Sequence, residues 1–412
     1  MSAARRAPRG DTVERVLAFN ADREPERRAL KYAAMCRDPF VFLRGTAHLF
    51  ADAWSDAIVA GDLAAAPNGW VCGDLHLENF GTFHGENRLV YFDVNDFDEA
   101  ALAPVTIDLA RFLTSLHLAA DQLGLGRGVV RTLAADYAAA YTQALVRGKP
   151  FWVERSTARG AIRHLLKLVK SRSRQELVES RTVDGRCRRF KTDGRRYLPA
   201  SDVDRQIVER DLGAFAVRVE RPDFFRVLDV ARRVAGTGSL GVARYAVLVH
   251  GPDRGPPRLL DLKEARPSVV AAAAKRLGIP NRRWESDAHR VTTVQRAAQA
   301  VTPSLLLPID CDGRGFIVRS LQPSEDRLSL DALAAHPKRL RRAVETMARV
   351  TAWMHLRTAG RWRAATVERW HDWASDPRWT AELSRFAERR ARQTTREWAA
   401  FARAHGRHRG FE

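Results

Sequence analysis

The segment Gly73-Asp74-Leu75-His76-Leu77-Glu78-Asn79-Phe80 leads through a short turn into Val90-Tyr91-Phe92-Asp93-Val94-Asn95-Asp96-Phe97-Asp98-Glu99-Ala100. Residues 80–83 and 88–93 predict two strands, and His84-Gly85-Glu86-Asn87 between them supplies turn residues. A hairpin of this kind brings the acidic residues at its two ends to one place. Carboxylates gathered at strand ends favour a bound cation.

The spacing of Asp74 and Asn79 suits a metal-dependent transfer site. A loop of this length can aim one carboxylate at a substrate hydroxyl while the amide oxygen of Asn79 helps to hold Mg²⁺. A further Asp beyond the hairpin completes the ligands, because Mg²⁺ takes oxygen ligands and usually keeps water and phosphate in its shell. Asp93, at the end of the apolar strand, and Asp96 are the two candidates.

This pattern resembles the catalytic segment of the aminoglycoside and choline kinase branch of the protein-kinase-like fold. The matching elements are Gly-Asp-Leu-His-x-x-Asn from Gly73, Asp-Phe-Asp-x-Ala from Asp96, Pro104, and Asp-Leu-Ala from Asp108. The resemblance implies Asp74 as the catalytic base, with Asn79 and Asp96 as the metal ligands. The downstream matches favour Asp96 over Asp93 for the last role.

A glycine-rich stretch, Gly236-Thr237-Gly238-Ser239-Leu240-Gly241, lies much further along the chain. Predicted strands flank it at 227–234 and 242–249, and a third predicted strand, 259–265, carries Lys263. A dinucleotide-binding site needs a helix directly after the glycines, but β-branched, extended residues follow them. The order instead matches the nucleotide-covering lobe of a kinase, in which loop N–H groups cover the phosphates and the Lys holds them. The expected nucleotide-binding residues are Gly236, Gly238, Ser239, Gly241 and Lys263.

A kinase lobe also offers a helix with a Glu that pairs with that Lys. The helix predicted over residues 285–299 has Glu285 near its start and Gln295 further along, but no Glu in its middle. Glu285 and Gln295 are therefore the two candidates for the partner of Lys263. Two more predicted strands complete the sheet, and Gln322-Pro323 is the expected hinge to the next lobe.

The order of the motifs predicts a circular permutation, because in ordinary kinases the glycine loop and its Lys precede the catalytic Asp. We expect an α+β, protein-kinase-like fold of two lobes. Residues 1–204 would form a helical catalytic lobe and residues 205–325 a β-rich nucleotide-binding lobe. Helices in residues 326–412 would complete the large lobe, so contacts between residues 330–412 and 11–120 are expected.

Nearly the whole chain also resembles an uncharacterised bacterial family catalogued as domain of unknown function 2252. The matching segments are 39–45, 73–81, 92–99, 234–241, 263–265, 290–291, 295–296 and 318–319. This resemblance implies a kinase-like fold and supplies no substrate. The chain departs from the family at Thr293-Val294, where an acidic residue and Gly are more frequent.

The chain is strongly basic, with 69 Lys and Arg against 49 Asp and Glu and a formal net charge of +20. Only eight of the basic residues are Lys, Arg is spread along most of the chain, and no nucleic-acid-binding motif is present. Each Lys is therefore informative. The basic run from Arg181 to Arg196 is expected to be a solvated loop or, if it faces the site, a collector of anionic substrate.

These observations predict an ATP- and Mg²⁺-dependent phosphotransferase that acts on a small hydroxyl-bearing molecule or a protein, with nucleotidyl transfer left open. The alternatives are a nucleotide-binding, pseudokinase-like regulatory module without turnover and a basic protein that binds polyanions or nucleic acid. No apolar segment is long enough to span a membrane, and residues 1–9 lack the apolar core of a signal peptide. The four scattered cysteines, Cys36, Cys72, Cys187 and Cys311, favour a reducing cytoplasm.

Overall fold

The computed structural model describes residues 11–63, 66–183, 189–252, 255–323, 326–376 and 378–407. Residues 1–9, Cys187 and the middle of the arginine-rich run lie outside these ranges. Helices prevail within them and every paired strand is antiparallel, so the predicted mixture of α and β structure is confirmed. No helix in the described part of the chain is long and apolar enough to cross a membrane.

Four helices open the described chain. The third begins at a strong cap, because the side chain of Asp38 accepts a hydrogen bond from the N–H of Val41 (2.7 Å) and Pro39 takes the first helical position. Pro25 has the same place in the second helix. The four are α1 (Thr12–Phe19), α2 (Pro25–Met35), α3 (Pro39–Gly45) and α4 (Ala47–Val59).

Four short strands then form two antiparallel pairs. They are β1 (Asn68–Val71), β2 (Phe80–His84), β3 (Val90–Val94) and β4 (Ala101–Pro104). β2 pairs with β3 as predicted, and Phe80 lies opposite Val94. β1 pairs with β4, and Val71 lies opposite Ala101. Because β1 pairs with β4 and β2 pairs with β3, the segments 72–79 and 95–100 that link these strands lie side by side.

A buried helix, α5 (Thr106–Ala119), follows β4. Thirteen of its 14 residues are buried, so it packs on all sides as the central helix of the large core. The next helix ends at Gly148, whose left-handed conformation (φ +67°) is the usual stop for an α-helix. This part of the chain continues with α6 (Arg127–Arg147), α7 (Gly160–Ser171) and α8 (Arg174–Arg181).

The main sheet has six strands in the order β5-β6-β7-β8-β10-β9. They are β5 (Tyr197–Pro199), β6 (Val227–Arg233), β7 (Arg244–Val249), β8 (Arg258–Glu264), β9 (Leu306–Cys311) and β10 (Arg314–Ser320). One face packs against α9 (Asp202–Arg218), and the other packs against Val178 of α8 and Phe190. The glycine-rich stretch connects β6 to β7, and Lys263 lies on β8.

Two helices lie between β8 and β9, namely α10 (Val269–Arg276) and α11 (Asp287–Ala298). α11 is the helix predicted over residues 285–299, and it packs against β9 and β10. The segment 205–325 therefore contains helices as well as strands. α9 also crosses the predicted boundary at residue 204.

The C-terminal helices pack against the beginning of the chain. They are α12 (Leu330–Ala334), α13 (Pro337–Arg357), α14 (Val367–Ser375) and α15 (Arg378–Arg407). α13 packs along α6 and contacts β1 and β3, whereas α15 packs along α5 and contacts α1, α2 and α3. The expected contacts between residues 330–412 and 11–120 are thus present, and one hydrophobic core spans both parts of the chain.

Candidate active site between the sheet and the helices

The loop that carries Asp74 is held by the first turn of α5. The buried carboxylate of Asp108 accepts hydrogen bonds from the N–H groups of Cys72 (3.0 Å) and Gly73 (2.8 Å). Gly73 has a φ of +85°, and a Cβ at this position would overlap the carbonyl group of Glu99. The loop is therefore fixed between α5 and the segment 95–100.

A buried hydrogen-bond chain supports Asp108 from α13 and α6. Because an ionised carboxylate only accepts hydrogen bonds, Nε2 of His355 donates to Asp108 (3.2 Å). Nδ1 of the same ring then accepts from the hydroxyl of Tyr141 (2.8 Å). His355 is fully buried and stacks on Trp370 of α14. Four helices thus determine the position of one carboxylate, and that carboxylate positions the Asp74 loop.

Asp74 lies beside a buried arginine. Its carboxylate forms an ion pair with Arg111 of α5, whose guanidinium also donates to the carbonyl of Leu43 (2.9 Å) and lies over the ring of Phe50. Burial raises the pKa of Asp74 to about 6, although Arg111 opposes this shift. A carboxyl group with this pKa exchanges its proton close to neutral pH, as a general base must.

Asn79 and Asp96 line the same cavity as Asp74. The side-chain N–H of Asn79 donates to the carbonyl of Asp74, and its amide oxygen has no partner among the described residues. Burial acts to raise the pKa of Asp96, but Lys263 and Arg319 outweigh it and lower the pKa. The carboxylate of Asp96 is therefore ionised at neutral pH.

These two oxygen donors fit a magnesium ion that shares its shell with phosphate and water. Within the described ranges no group of three or more His, Cys, Asp or Glu side chains is arranged to hold a metal. Mg²⁺ commonly binds through one or two carboxylates together with substrate phosphates. The carboxylate of Asp96 and the amide oxygen of Asn79 are thus the groups of this cavity that could hold such a metal.

Asp93, the alternative metal ligand, is part of the scaffold. It is only 2% exposed, and its carboxylate accepts from the N–H groups of Val94 (2.9 Å) and Ala300 (3.1 Å) and pairs with Arg357 of α13 (3.2 Å). These contacts engage the oxygens of Asp93 in the core, so they favour Asp96 over Asp93 as the predicted metal ligand.

Lys263 pairs with the acidic segment and not with α11. Its Nζ forms an ion pair with Asp98. The prediction that Glu285 or Gln295 is its partner is wrong, since Glu285 is 86% exposed and the side chain of Gln295 donates to another residue of the same helical segment. The pairing joins residues 165 positions apart, which no local pattern reveals.

α11 instead contributes Arg290, whose role the sequence analysis did not identify. Its buried guanidinium donates to the carbonyls of Asp98 (2.9 Å), Ala100 (2.7 Å) and Arg266 (2.9 Å). One side chain thus ties the main chain of the acidic segment to the end of β8.

Glu99, another residue without a predicted role, also lines the cavity of Asp74. Its carboxylate accepts from the N–H of Val269 at the start of α10 (2.7 Å). Burial and the nearby charge of Asp74 raise the pKa of Glu99 to about 7. Two carboxyl groups of the site are thus partly protonated near neutral pH.

The glycine-rich stretch is held by the connection between α1 and α2. Arg23 donates to the carbonyls of Gly238 (2.8 Å) and Leu240 (2.6 Å). Gly236 and Gly241 have φ values of +74° and +85°, which side chains rarely adopt. Gly236, Gly238 and Ser239 line the cavity of Asp74, while Gly241 packs against Arg23. The stretch is therefore brought to the predicted catalytic segment.

Lys31 is a second buried lysine at this site. Of the eight lysines only Lys31 and Lys263 are buried, at 1% and 4% exposure, and both line the cavity of Asp74. Burial and the charge of Arg23 hold the pKa of Lys31 well below its usual range, although Asp74 opposes them. The scarcity of Lys was the sequence signal that could have identified Lys31.

A second cavity adjoins the first. The cavity of Asp74 measures about 100 Å³ and its neighbour about 220 Å³, and both are lined by Asn79, Asp96, Gly236 and Ser239. The larger cavity extends to Gln322-Pro323, which was the expected hinge. Together they form a cleft between the main sheet and the helices.

The fold and the site define a mixed α and β protein with a charged cleft between an antiparallel sheet and a helical body. The chain belongs to a family described as uncharacterized proteins conserved in bacteria (DUF2252), whose model matches residues 23–404. The family expected from the sequence is thereby confirmed. No curated protein and no solved structure matches the chain.

Proposed function

We propose that this protein is a kinase-like transferase that uses ATP and Mg²⁺ to move a phosphorus-containing group to an acceptor hydroxyl, on a small molecule or a protein. One observation carries the proposal: residues from distant parts of the chain line a single cavity. They are Asp74, Asn79, Asp96, Gly236, Gly238, Ser239 and Lys263. Two unrelated motifs would not be expected to line one cavity, so this shared lining supports the proposal.

The order of elements supports a circularly permuted kinase-like fold. The glycine-rich stretch occupies the first turn of the β6-β7-β8 meander, Lys263 lies on its third strand, and α11 and the β9-β10 hairpin follow. The C-terminal helices then return to α5 and α6. A kinase-like small lobe would in this way follow the catalytic loop in the chain instead of preceding it.

Each group has a role that its surroundings allow. Asp74 would accept the proton of the acceptor hydroxyl, and Lys263 with the N–H groups of the glycine-rich stretch would hold the phosphates. Asn79 and Asp96 would hold Mg²⁺, which supplies charge neutralisation on the phosphate oxygens when bound. Such catalysis depends mainly on positioning and electrostatics.

A nucleotide-binding regulatory module without turnover is the second candidate. The observation that favours it is that the two central charged groups already have protein partners. Asp74 pairs with Arg111, and Lys263 pairs with Asp98. A site that neutralises its own charges can bind a nucleotide without activating an acceptor.

Calorimetric titration of ATP, with and without Mg²⁺, tests the proposal. We expect Mg²⁺-dependent binding that Asp96→Ala and Lys263→Ala each weaken at least about tenfold, or 1.4 kcal/mol. Lys275→Ala, an exposed lysine of α10, is the matched control and should bind as the wild type does.

The outcomes separate the three function classes. No ATP binding by the wild-type protein would overturn the proposal. Binding without consumption of ATP would favour the regulatory module. Affinity for polyanions that falls steeply with salt and ignores Asp74→Ala would indicate a polyanion-binding protein instead.

A further inference from the structure

We propose that Lys31 holds the terminal phosphate of ATP in the cavity of Asp74, as a second phosphate-binding lysine beside Lys263. This inference rests on the proposed function and specifies which phosphate meets Asp74. Lys31 lies on α2, outside both motifs that predicted the site, and the roles proposed above leave it unused.

The size of the cavity indicates which part of the nucleotide it holds. It measures about 100 Å³, whereas pockets that enclose a whole small molecule usually measure about 300–1,000 Å³. It therefore admits one end of ATP, and Lys263 and the glycine-rich stretch on its wall favour the phosphate end. The nucleoside has more room in a third cavity of about 350 Å³, which has Leu177 and Leu259 on its wall and adjoins the 220 Å³ cavity at Gln322-Pro323.

Lys31 is enclosed in the cavity of Asp74 with few partners of its own. It is 1% exposed, and among the described residues its Nζ has one acceptor, the carbonyl of Gly238, at 3.3 Å. That distance lies slightly beyond the usual range of N–H···O hydrogen bonds, about 2.7–3.2 Å. The amino group of a lysine carries more than one N–H donor, and buried donors normally have acceptors. The remaining donors therefore favour a ligand that brings oxygen acceptors to Nζ.

Support of the glycine-rich stretch does not explain the burial of Lys31. Arg23 already donates to the carbonyl of Gly238 at 2.8 Å and to that of Leu240 at 2.6 Å. The longer contact from Lys31 to Gly238 adds little to these two hydrogen bonds. A lysine with only this contact would be better solvated at the surface, because burial of a polar group without good partners costs free energy.

Lys31 also differs from the charged side chains around it. Three cations of the cavity already form ion pairs with carboxylates: Lys263 with Asp98, Arg44 with Glu78, and Arg266 with Asp22. Lys31 forms no ion pair within the described part of the chain. A phosphate would therefore meet no competing carboxylate at Nζ of Lys31.

The electrostatic environment of Lys31 suits an anionic ligand. Burial and the charge of Arg23 hold the pKa of Lys31 well below its usual range, although Asp74 and Glu99 oppose them. A phosphate beside Nζ would bring negative charge and hydrogen-bond acceptors to the same point, and both favour the charged ammonium. Because the charge of Asp74 acts on Lys31, a phosphate that Lys31 holds would lie near the proposed base.

Transfer of this phosphate is balanced without a further reactant. The acceptor oxygen forms a bond to the γ-phosphorus, and the proton of the acceptor hydroxyl passes to Asp74. The bond between the γ-phosphorus and the oxygen that bridges to the β-phosphorus breaks, and ADP leaves with that electron pair. Lys31, charged in the presence of the phosphate, would stabilise the negative charge on the γ-phosphate oxygens and exchange no proton in this step.

One substitution combined with two nucleotides tests the inference. Calorimetry measures the affinities of the wild-type and Lys31→Met proteins for ATP and for ADP, each with Mg²⁺. Met keeps a side chain of similar length and removes the amino group. We expect the loss of ATP affinity to exceed the loss of ADP affinity at least about tenfold, because only ATP carries the terminal phosphate. Equal losses for ATP and ADP in a folded variant would overturn the inference, since Lys31 would then act through the glycine-rich stretch.

Controls separate this inference from the proposed function. Lys275→Met, on the exposed side of α10, is the matched control and should bind both nucleotides as the wild type does. Urea unfolding establishes that each variant is folded, and Lys31→Gln replaces Lys31→Met under the same criterion if the latter is unfolded. Absence of ATP binding by the wild-type protein would overturn both the inference and the proposed function. ATP affinity that falls in Lys263→Ala but is unchanged in Lys31→Met would overturn the inference alone.

Discussion

Replacing Asp108 by Ala removes the acceptor that organises the Asp74 loop. The carboxylate accepts from the N–H groups of Cys72 (3.0 Å) and Gly73 (2.8 Å) and from Nε2 of His355 (3.2 Å). Neither Asp108 nor His355 has exposed surface. Alanine would leave three buried donors without their acceptor.

The size of the effect follows from these contacts. One unsatisfied buried donor costs about 1–3 kcal/mol, and Asp108→Ala leaves three of them. Relaxation of the loop recovers part of this, so we expect Asp108→Ala to lower the free energy of unfolding by about 4 kcal/mol. Asp108→Asn keeps one acceptor oxygen but turns an NH₂ group toward a donor, so it should lose about 2 kcal/mol.

Urea unfolding followed by tryptophan fluorescence measures both losses, since Trp370 stacks on His355 and reports on this region. Asp121→Ala, at an exposed position after α5, is the control and should change the free energy of unfolding by no more than about 0.5 kcal/mol. A loss for Asp108→Ala as small as that of the control would refute the role assigned to this carboxylate.

Three further predictions address other parts of the site. Burial raises the pKa of Glu99 from 4.5 to about 7, so the folded protein binds this proton more tightly and stability falls as pH rises between these values. Urea unfolding at a series of pH values measures this fall in the free energy of unfolding, and in Glu99→Gln the fall should be about 3 kcal/mol smaller. An unchanged pH dependence would contradict the burial argument. Gly73→Ala should lower the free energy of unfolding by about 3 kcal/mol, because backbone strain and overlap with Glu99 combine. Gly124, with a φ of +62°, has open space around it, so Gly124→Ala should lower the free energy of unfolding by only about 1 kcal/mol. Equal losses for the two variants would show that the overlap with Glu99 is unimportant. Asp93→Asn should lower the free energy of unfolding by about 2 kcal/mol without changing Mg²⁺-dependent ATP affinity, whereas Asp96→Asn should weaken ATP binding and leave stability unchanged. Calorimetry and urea unfolding measure both properties, and a loss of ATP affinity in Asp93→Asn but not in Asp96→Asn would show that the two roles are exchanged.

The features that sequence analysis predicted correctly depend on neighbouring residues. The β2-β3 hairpin follows from two short apolar strands around a Gly and Asn turn, and the antiparallel pairing is observed. The helix predicted over residues 285–299 is observed as α11 at Asp287–Ala298. The family followed from many short matches spread along the chain and is confirmed. Each of these signals is contained within a few residues of chain.

The roles that sequence analysis could not assign belong to side chains whose environment comes from elsewhere in the chain. Asp93 and Asp96 are close in sequence and similar in local pattern, but Arg357 of α13 and the N–H of Ala300 bind Asp93 into the core. Glu285 and Gln295 were the expected partners of Lys263, but Lys263 pairs with Asp98. Lys31 had no motif of its own, and in the fold its Nζ donates to the carbonyl of Gly238 (3.3 Å), more than two hundred positions along the chain.

The sequence by itself determined the mixed α and β class, the acidic hairpin, the glycine-rich turn and membership in the family, because short-range backbone preferences and hydrogen bonds decide local structure. Only the tertiary structure decided which charges meet: Asp74 with Arg111, Lys263 with Asp98, and three arginines around Asp261. It also decided the pKa values of Asp74 and Glu99, because these depend on burial and on charges from distant segments. Packing sets the distance between charges and removes the water around them, and neither quantity is encoded in any one stretch of the chain.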